Sequence, residues 1–282
     1  MAEIIIAEFA GTCKGVKQAI EKSFNFAKKN QDKNVFIKGD IVHNPIIVNE
    51  LNKLGVKKID TINNLKKSDN LIIRAHGDKK EIFDYCKKNK INVIDCTCPL
   101  VKNSITLGLS LEKDNYQVII IGDKDHPEVK GIKSQLKHPI IVSGKDEINI
   151  NELKKYNKIG VLSQTTQKLK IFNDSIEVIQ SLVNEVKIHN TICNATSIRQ
   201  KAAIKLSLDV NLMIIIGGKK SANTKALYEL CNNLIKSHWI NDTCEIKKDW
   251  FTTINKVGIT AGASTPIKLI NEIKNHINNI NK

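Results

Sequence analysis

No stretch of the chain approaches the roughly 18 consecutive apolar residues that a membrane-crossing helix requires, so no such helix and no membrane partner is expected. Aromatic residues are scarce, at 5%, and no basic stripe is interleaved with them. The net charge of +15 therefore does not read as a nucleic-acid footprint. Lys, Asn and Ile abound even in featureless stretches such as NNLIKS and NEIKNHINNINK, which looks like uniform compositional drift. The surplus still suits attraction of an acidic substrate or an acidic electron carrier. Arginine is nearly missing, with only Arg74 and Arg199 present, which disfavours a site that clamps carboxylates through guanidinium forks. No G-x-G-x-x-G loop for a dinucleotide occurs. The seven cysteines include no C-x-x-C pair, and their odd number argues against a disulfide framework.

What is present is the composition of an ordinary soluble protein, 41% hydrophobic and 26% charged, in 282 residues. That length suffices for one large domain or two to three smaller ones. The opening MAEIIIAEFAG has no basic leader and runs into a strand, so neither a signal nor a transit peptide is expected, and the location reads as cytoplasmic.

The most informative feature is a threefold internal repeat. EIIIAEFAGTC leads to Cys13, INVIDCTC to Cys98 and VKIHNTIC to Cys193. Each cysteine precedes a helical run with apolar residues on one face: Val16, Ala19, Ile20, Phe24 and Ala27; Leu100, Val101, Ile105 and Leu109; Ile198, Ala202 and Leu206. Pro99 fits the first helical position. Each helix is followed by an apolar strand ending at Gly39, Gly122 or Gly217. Cys98 to Gly122 and Cys193 to Gly217 both span 24 residues, and Cys13 to Gly39 spans 26. Four residues past each Gly stands a polar group, His43, His126 or Ser221. A further strand in each third, in LIIRAHG, IGVLSQTT and VGITAGAST, ends at His76, at Thr165 with Thr166, and at Ser264. Alternating strands and helices predict parallel α/β sheets with ligand sites at the carboxyl ends of strands. Three such units about a pseudo-threefold axis would aim all these groups at one centre. The expected domains are 1–97 (Cys13, His43, His76), 98–192 (Cys98, His126, Glu128, Thr165) and 193–282 (Cys193, Ser221, Asn223, Ser264).

Three cysteines at helix N-termini, where unpaired N–H groups favour thiolates, suit three corners of a 4Fe-4S cluster with one iron left without a protein ligand. Zinc on three cysteines is the competitor, without electron transfer. Cys86, Cys231 and Cys244 fall outside the repeat and read as structural. Cys96 lies two residues from Cys98 and is the alternative ligand there; the register favours Cys98. His43, His76, His126, Ser221, Asn223 and Ser264 form a donor set suited to a small polyanion such as a diphosphate. His138, His189, His238 and His276 read as ordinary. Glu128 is either a proton donor with His126 as neighbour and relay or an idle acid at a helix start. Thr165 either orients a substrate hydroxyl or fills a turn.

The motifs GTCKGVKQAI, VHNP, RAHG, DCTCPLV, GDKDHPEVKG, SQTT, IRQKAA, SAN and TAGAS, in this order from about residue 3 to residue 270, resemble the 4-hydroxy-3-methylbut-2-enyl diphosphate reductase family, the LytB-type iron-sulfur reductases of the non-mevalonate isoprenoid pathway. The resemblance implies a trefoil of three α/β domains with small parallel sheets around a central 4Fe-4S cluster. It implies Cys13, Cys98 and Cys193 as iron ligands, and His43, His76, His126, Ser221, Asn223 and Ser264 at the diphosphate. It further implies Thr165 at the substrate hydroxyl and Glu128 as proton source. The implied reaction is a two-electron reductive dehydroxylation giving isopentenyl and dimethylallyl diphosphate, with ferredoxin or flavodoxin as electron donor. The chain departs from the family pattern at Ala222, where a second Ser is usual, at Thr12 for Phe and at Ser163 for Thr. Two other readings remain: a three-cysteine enzyme of quinolinate-synthase type, with a dicarboxylate substrate, and an RNA-binding module with a structural cluster.

Overall fold

The structure, a computed structural model, describes residues 2–42 and 44–280. The chain begins with β1 (Glu3–Ile6), α1 (Lys14–Lys29), β2 (Val35–Lys38), α2 (Pro45–Lys53), β3 (Val56–Ile59), β4 (Asn70–Ile73), α3 (Lys80–Lys88) and β5 (Asn92–Asp95). There follow α4 (Pro99–Lys113), β6 (Gln117–Ile121), α5 (Pro127–Gln135), β7 (Ile140–Val142), α6 (Ile150–Leu153), β8 (Lys158–Ser163), α7 (Leu169–Leu182) and β9 (Glu185–Ile188). The last part holds α8 (Asn194–Ser207), β10 (Leu212–Ile216), α9 (Ala222–Asn232), β11 (Ser237–Ile240), β12 (Lys256–Ala261) and α10 (Ile267–Ile280). Among the described residues no helix is long and apolar enough to cross a membrane.

The strands form three parallel four-stranded sheets, ordered β3-β2-β4-β5, β7-β6-β8-β9 and β11-β10-β12-β1. The same order recurs three times, so the α/β repeat read from the sequence is also a repeat of strand pairing. In each sheet the fourth strand, β5, β9 or β1, runs toward a cysteine of the repeat. The fourth strand of the last sheet is the first strand of the chain: Glu3 pairs with Lys256 and Ile6 with Ile259. The division at 1–97, 98–192 and 193–282 differs from this grouping at its N-terminal end, because β1 is covalently in the first segment but hydrogen-bonded in the last. Periodicity cannot reveal which sheet a short apolar strand will join.

The chain packs as two compact units, one of Met1–Lys17, Val42–Glu50 and Asn194–Lys282, the other of Gln18–Ile41 and Leu51–Cys193. Within the second, the β6 and β8 strands are covered on both faces. Ile119, Ile121, Ile159 and Val161 pack with Phe172 and Ile179 of α7. Val118, Ile120 and Leu162 pack with Val101 and Leu111 of α4 and with Val129 and Ile132 of α5. Burial on both faces is why these strands read as continuous apolar runs rather than alternating ones. In the first unit, Ile214, Ile216, Val257 and Ile259 meet Leu269, Ile270, Ile273 and Ile277 of α10. The opposite face of that sheet packs Met213 and Ile215 on Ala203, Leu206 and Leu227.

Two helices turn different faces inward from those expected. In α4 the buried positions are Val101, Ser104, Gly108 and Leu111, while Leu100 and Leu109 are exposed. Small residues allow that face to sit close: a Cβ on Gly108 would lie 3.0 Å from both Leu136 methyls. In α8 the buried residues are Thr196, Arg199, Ala203, Leu206 and Ser207, and Ile198 is exposed. An apolar template fails where a buried charge defines the inward face.

Candidate functional site

The three cysteines of the repeat share one local construction. Cys98 is the N-cap of α4 with Pro99 at the first helical position; Cys13 and Cys193 immediately precede α1 and α8. The Lys17 N–H donates to the Cys13 carbonyl at 2.8 Å and the Lys102 N–H to the Cys98 carbonyl at 3.1 Å. Each cysteine N–H donates in turn to the loop after its sheet's third strand: Cys98 to Ala75 O at 2.9 Å, Cys193 to Thr165 O at 2.8 Å, Cys13 to Ala263 O at 3.2 Å. All three are half-buried. This bond sets a register in which His76, Thr166 and Ser264 are equivalent, each following the acceptor residue.

Cys96 is buried more deeply than Cys98. Its side chain is in the core at 3% exposure, and burial pushes its thiol up to about 11. Burial likewise raises Cys86 and Cys231. These are thiols packed as small hydrophobes. Among the described residues no three His, Cys, Asp or Glu side chains close on the position of a single metal ion. A 4Fe-4S cube makes no such demand, since it spreads its cysteines over separate irons.

In the second unit the loops after β4, β6 and β8 bring together His76, His126, Glu128 and Thr165. His126 caps α5, its Nδ1 accepting the Glu128 N–H at 3.2 Å, so in the neutral ring the proton resides on Nε2. The rings of His76 and His126 meet edge to face at 5.4 Å. Glu128 is buried, and its Oε1 and Oε2 accept from the Thr165 N–H at 2.6 Å and the Thr165 hydroxyl at 2.8 Å. Burial raises the Glu128 carboxyl above its ordinary range, and the two Thr165 bonds oppose this only in part. A protonatable acid is thus held on the residue whose carbonyl receives the Cys193 N–H.

Gln164, not singled out by the sequence, joins the two loops. Its Oε1 accepts from Asp123 N at 3.0 Å, its Nε2 donates to Thr166 Oγ1 at 2.9 Å, and its N–H reaches Ile121 O at 2.9 Å. Gly122 admits this approach, since a Cβ there would stand 2.8 Å from Gln164 Cβ and 2.9 Å from Val129 Cγ2. Gly122→Ala should therefore cost about 1–3 kcal/mol in folding stability. A lowered thermal midpoint with reduced turnover checks this; an unchanged midpoint would contradict it.

In the first unit, Ser221 caps α9, accepting from Thr224 N at 3.3 Å. The Asn223 side-chain amide and the Ser264 hydroxyl are buried and, among the described residues, have no hydrogen-bond partner. Buried polar groups left unpaired are costly and point to a partner that arrives with a ligand. Asn44 supports this loop, donating from Nδ2 to Ser264 O at 2.9 Å while its Oδ1 accepts from Ile46 N at 3.0 Å. His43, expected in the same donor set, lies outside the described residues, as does the side chain of Ala222. The other two departures are accommodated: Thr12 Oγ1 donates to Thr265 O at 2.9 Å, and the Ser163 hydroxyl lies within hydrogen-bond reach of Thr191 Oγ1 at 3.2 Å. Of the histidines set aside, His238 stacks on Trp250 with ring centroids 3.8 Å apart.

The sequence profile of the LytB protein family matches residues 4–278. A 4-hydroxy-3-methylbut-2-enyl diphosphate reductase of Aquifex aeolicus is 40% identical over 99% of this chain and 97% of its own length. One of Geobacter sp. is 36% identical over 99% and 98%. A solved structure of (E)-4-hydroxy-3-methyl-but-2-enyl diphosphate reductase, described as the terminal enzyme of the non-mevalonate pathway, superposes with a TM-score of 0.77 at 39% identity, covering 99% of this chain and all of the other. The corresponding reductase of Plasmodium falciparum gives 0.88 at 28% identity, covering all of this chain and 88% of the other. With its three repeated sheets and its motifs matched along almost the whole length, the chain belongs to the LytB family.

Proposed function

We propose that this chain is a 4-hydroxy-3-methylbut-2-enyl diphosphate reductase, converting that allylic alcohol to isopentenyl and dimethylallyl diphosphate. The observation that carries the reading is the Glu128–Thr165 pair, a buried acid of α5 hydrogen-bonded to the loop that also anchors Cys193. Cys13, Cys98 and Cys193 would hold a 4Fe-4S cluster with one iron lacking a protein ligand. When bound, such a cluster supplies electrons singly and a Lewis-acidic iron.

The protein's own groups account for the rest. Thr165 orients the substrate hydroxyl, and Glu128, whose hold on a proton burial strengthens, delivers a proton as the C–O bond breaks. Two electrons and two protons turn the alcohol into an alkene and water, one proton going to oxygen and one to carbon. Carbon protonation at either end of the allylic unit yields the two products. His43, His76, His126, Ser221, Asn223 and Ser264 are the donors assigned to the diphosphate. Ferredoxin or flavodoxin is the electron donor, drawn to a chain of net charge +15. The dicarboxylate alternative is disfavoured, since of only two arginines Arg199 is committed to backbone carbonyls.

Anaerobic assay of the iron-loaded protein with this diphosphate and a reduced viologen dye tests the proposal. Formation of both five-carbon diphosphates is expected, and a loaded cluster without turnover overturns it. Under the same conditions Ser264→Ala should raise KM about 10- to 100-fold, the worth of a hydrogen bond to a charged group. Because the free hydroxyl has no partner to lose among the described residues, the thermal midpoint should not fall. A fall in stability with KM unchanged would remove Ser264 from the diphosphate.

A further inference from the structure

We infer that Arg199 is a positioning residue for Cys13, a role that rests on reading Cys13 as a cluster ligand. Arg199 lies on α8 and is 2% exposed. Its guanidinium donates Nε to Phe9 O at 3.0 Å and one terminal nitrogen to Gly11 O at 2.7 Å. The other terminal nitrogen donates to Ala195 O at 2.9 Å, one turn back on its own helix. The fork therefore ties the β1–α1 loop, two residues before Cys13, to the first turn of the helix that follows Cys193.

The loop needs such a tie. Phe9 has φ 61° and Gly11 φ 92°, two left-handed conformations within three residues. For a phenylalanine this is strained, and it persists only where surrounding bonds over-determine it. Gly11 is further confined, because a Cβ would stand 3.0 Å from Thr265 O and 2.9 Å from Ile270 Cδ1. Beyond the fork, Thr12 Oγ1 and Cys13 N complete the anchoring on Thr265 O and Ala263 O.

Two comparisons make this more than general packing. Only two of the 44 Lys and Arg residues are arginine, so lysine serves nearly everywhere a cation is wanted. A lysine ammonium is a point donor and cannot span three carbonyls as a planar fork does. Secondly, the loops before the other cysteines are held without a guanidinium, by Lys22 Nζ on Asp95 O at 2.8 Å and by Thr191 Oγ1 on Ser163 O at 2.6 Å, and each has a local turn. Asp95 Oδ1 accepts from Thr97 N at 2.9 Å before Cys98, and Asn190 Oδ1 accepts from Ile192 N at 3.1 Å before Cys193. Loss of Arg199 should therefore loosen Cys13 and leave its two counterparts in place.

The test uses anaerobically reduced, iron-free protein as wild type, Arg199→Lys and Arg199→Met. A short pulse of iodoacetamide at fixed pH is quantified at each cysteine by mass spectrometry. Cys13 should be alkylated about tenfold faster in both variants, the weight of one lost charged hydrogen bond in an opening equilibrium. Cys98 and Cys193 should stay within about twofold of wild type. Equal acceleration at all three, or none at Cys13, overturns the assignment. If Arg199→Met does not fold, Arg199→Lys, which keeps charge and most of the bulk, decides alone. Wild-type protein that takes up no iron would defeat the cluster reading and leave this result untouched.

Discussion

Glu128→Gln is expected to lower the turnover number by at least about 100-fold while iron content and visible absorption stay as in wild type. A positioned general acid contributes roughly 100- to 10,000-fold, and the amide carries no transferable proton. Shape is preserved: the amide oxygen accepts the Thr165 N–H in place of Oε1, and the amide nitrogen donates to the Thr165 hydroxyl in place of accepting from it. The substitution also has a signature in stability. Burial raises the carboxyl's pKa in the folded state above its unfolded value. The associated stability is present below the unfolded pKa and lost as pH rises through the folded one. Glutamine has no such loss, so the thermal midpoint of Glu128→Gln should gain on wild type as pH is raised. Turnover within about threefold of wild type would take Glu128 off the proton route, and a flat difference in midpoint across pH would mean the carboxyl is not raised.

Cys13→Ser, Cys98→Ser and Cys193→Ser should each cut turnover at least about 100-fold and reduce bound iron, whereas Cys96→Ser should retain its iron. A serine hydroxyl is a poor substitute for the soft thiolate that iron-sulfur clusters require. Loss of a cysteine should exceed the roughly 10- to 100-fold that loss of a group merely supporting a ligand costs. Cys96 is the internal control, only two residues from Cys98 but buried with its thiol pushed up to about 11. Its replacement puts a hydroxyl into the core and should cost about 1–3 kcal/mol of stability instead. Iron measured per chain, together with the thermal midpoint, separates the two effects. Iron loss in Cys96→Ser with retention in Cys98→Ser would exchange their roles.

These two experiments fall on residues the sequence exposes well. Cys13, Cys98 and Cys193 announce themselves by recurring between a strand and a helix, and the helices begin where the repeat places them. Glu128 is visible as the acid after His126 and Pro127, but sequence left it balanced between a proton donor and an idle helix-start acid. Packing in the fold supplies its burial, and the hydrogen bonds to Thr165, 37 residues away, supply the restraint; the local pattern can carry neither. Gln164 and Asn44 are inconspicuous in the sequence for the same reason: each works through bonds to distant backbone, and neither residue type stands out alone.

By itself the sequence determined the α/β class, the threefold repeat, the boundaries of the cysteine-led helices and the identity of the polar strand ends. All of these are written in contacts between near neighbours, i to i+2 along a strand and i to i+4 along a helix. Tertiary structure alone decided that β1 completes the last sheet, pairing with residues about 250 positions away, and that α8 turns Arg199 inward where its pattern offered Ile198. Four apolar residues pair equally well with any open parallel edge, so long-range packing chooses the partner. A charge goes inside only when the fold brings the carbonyls of Phe9, Gly11 and Ala195 to meet it.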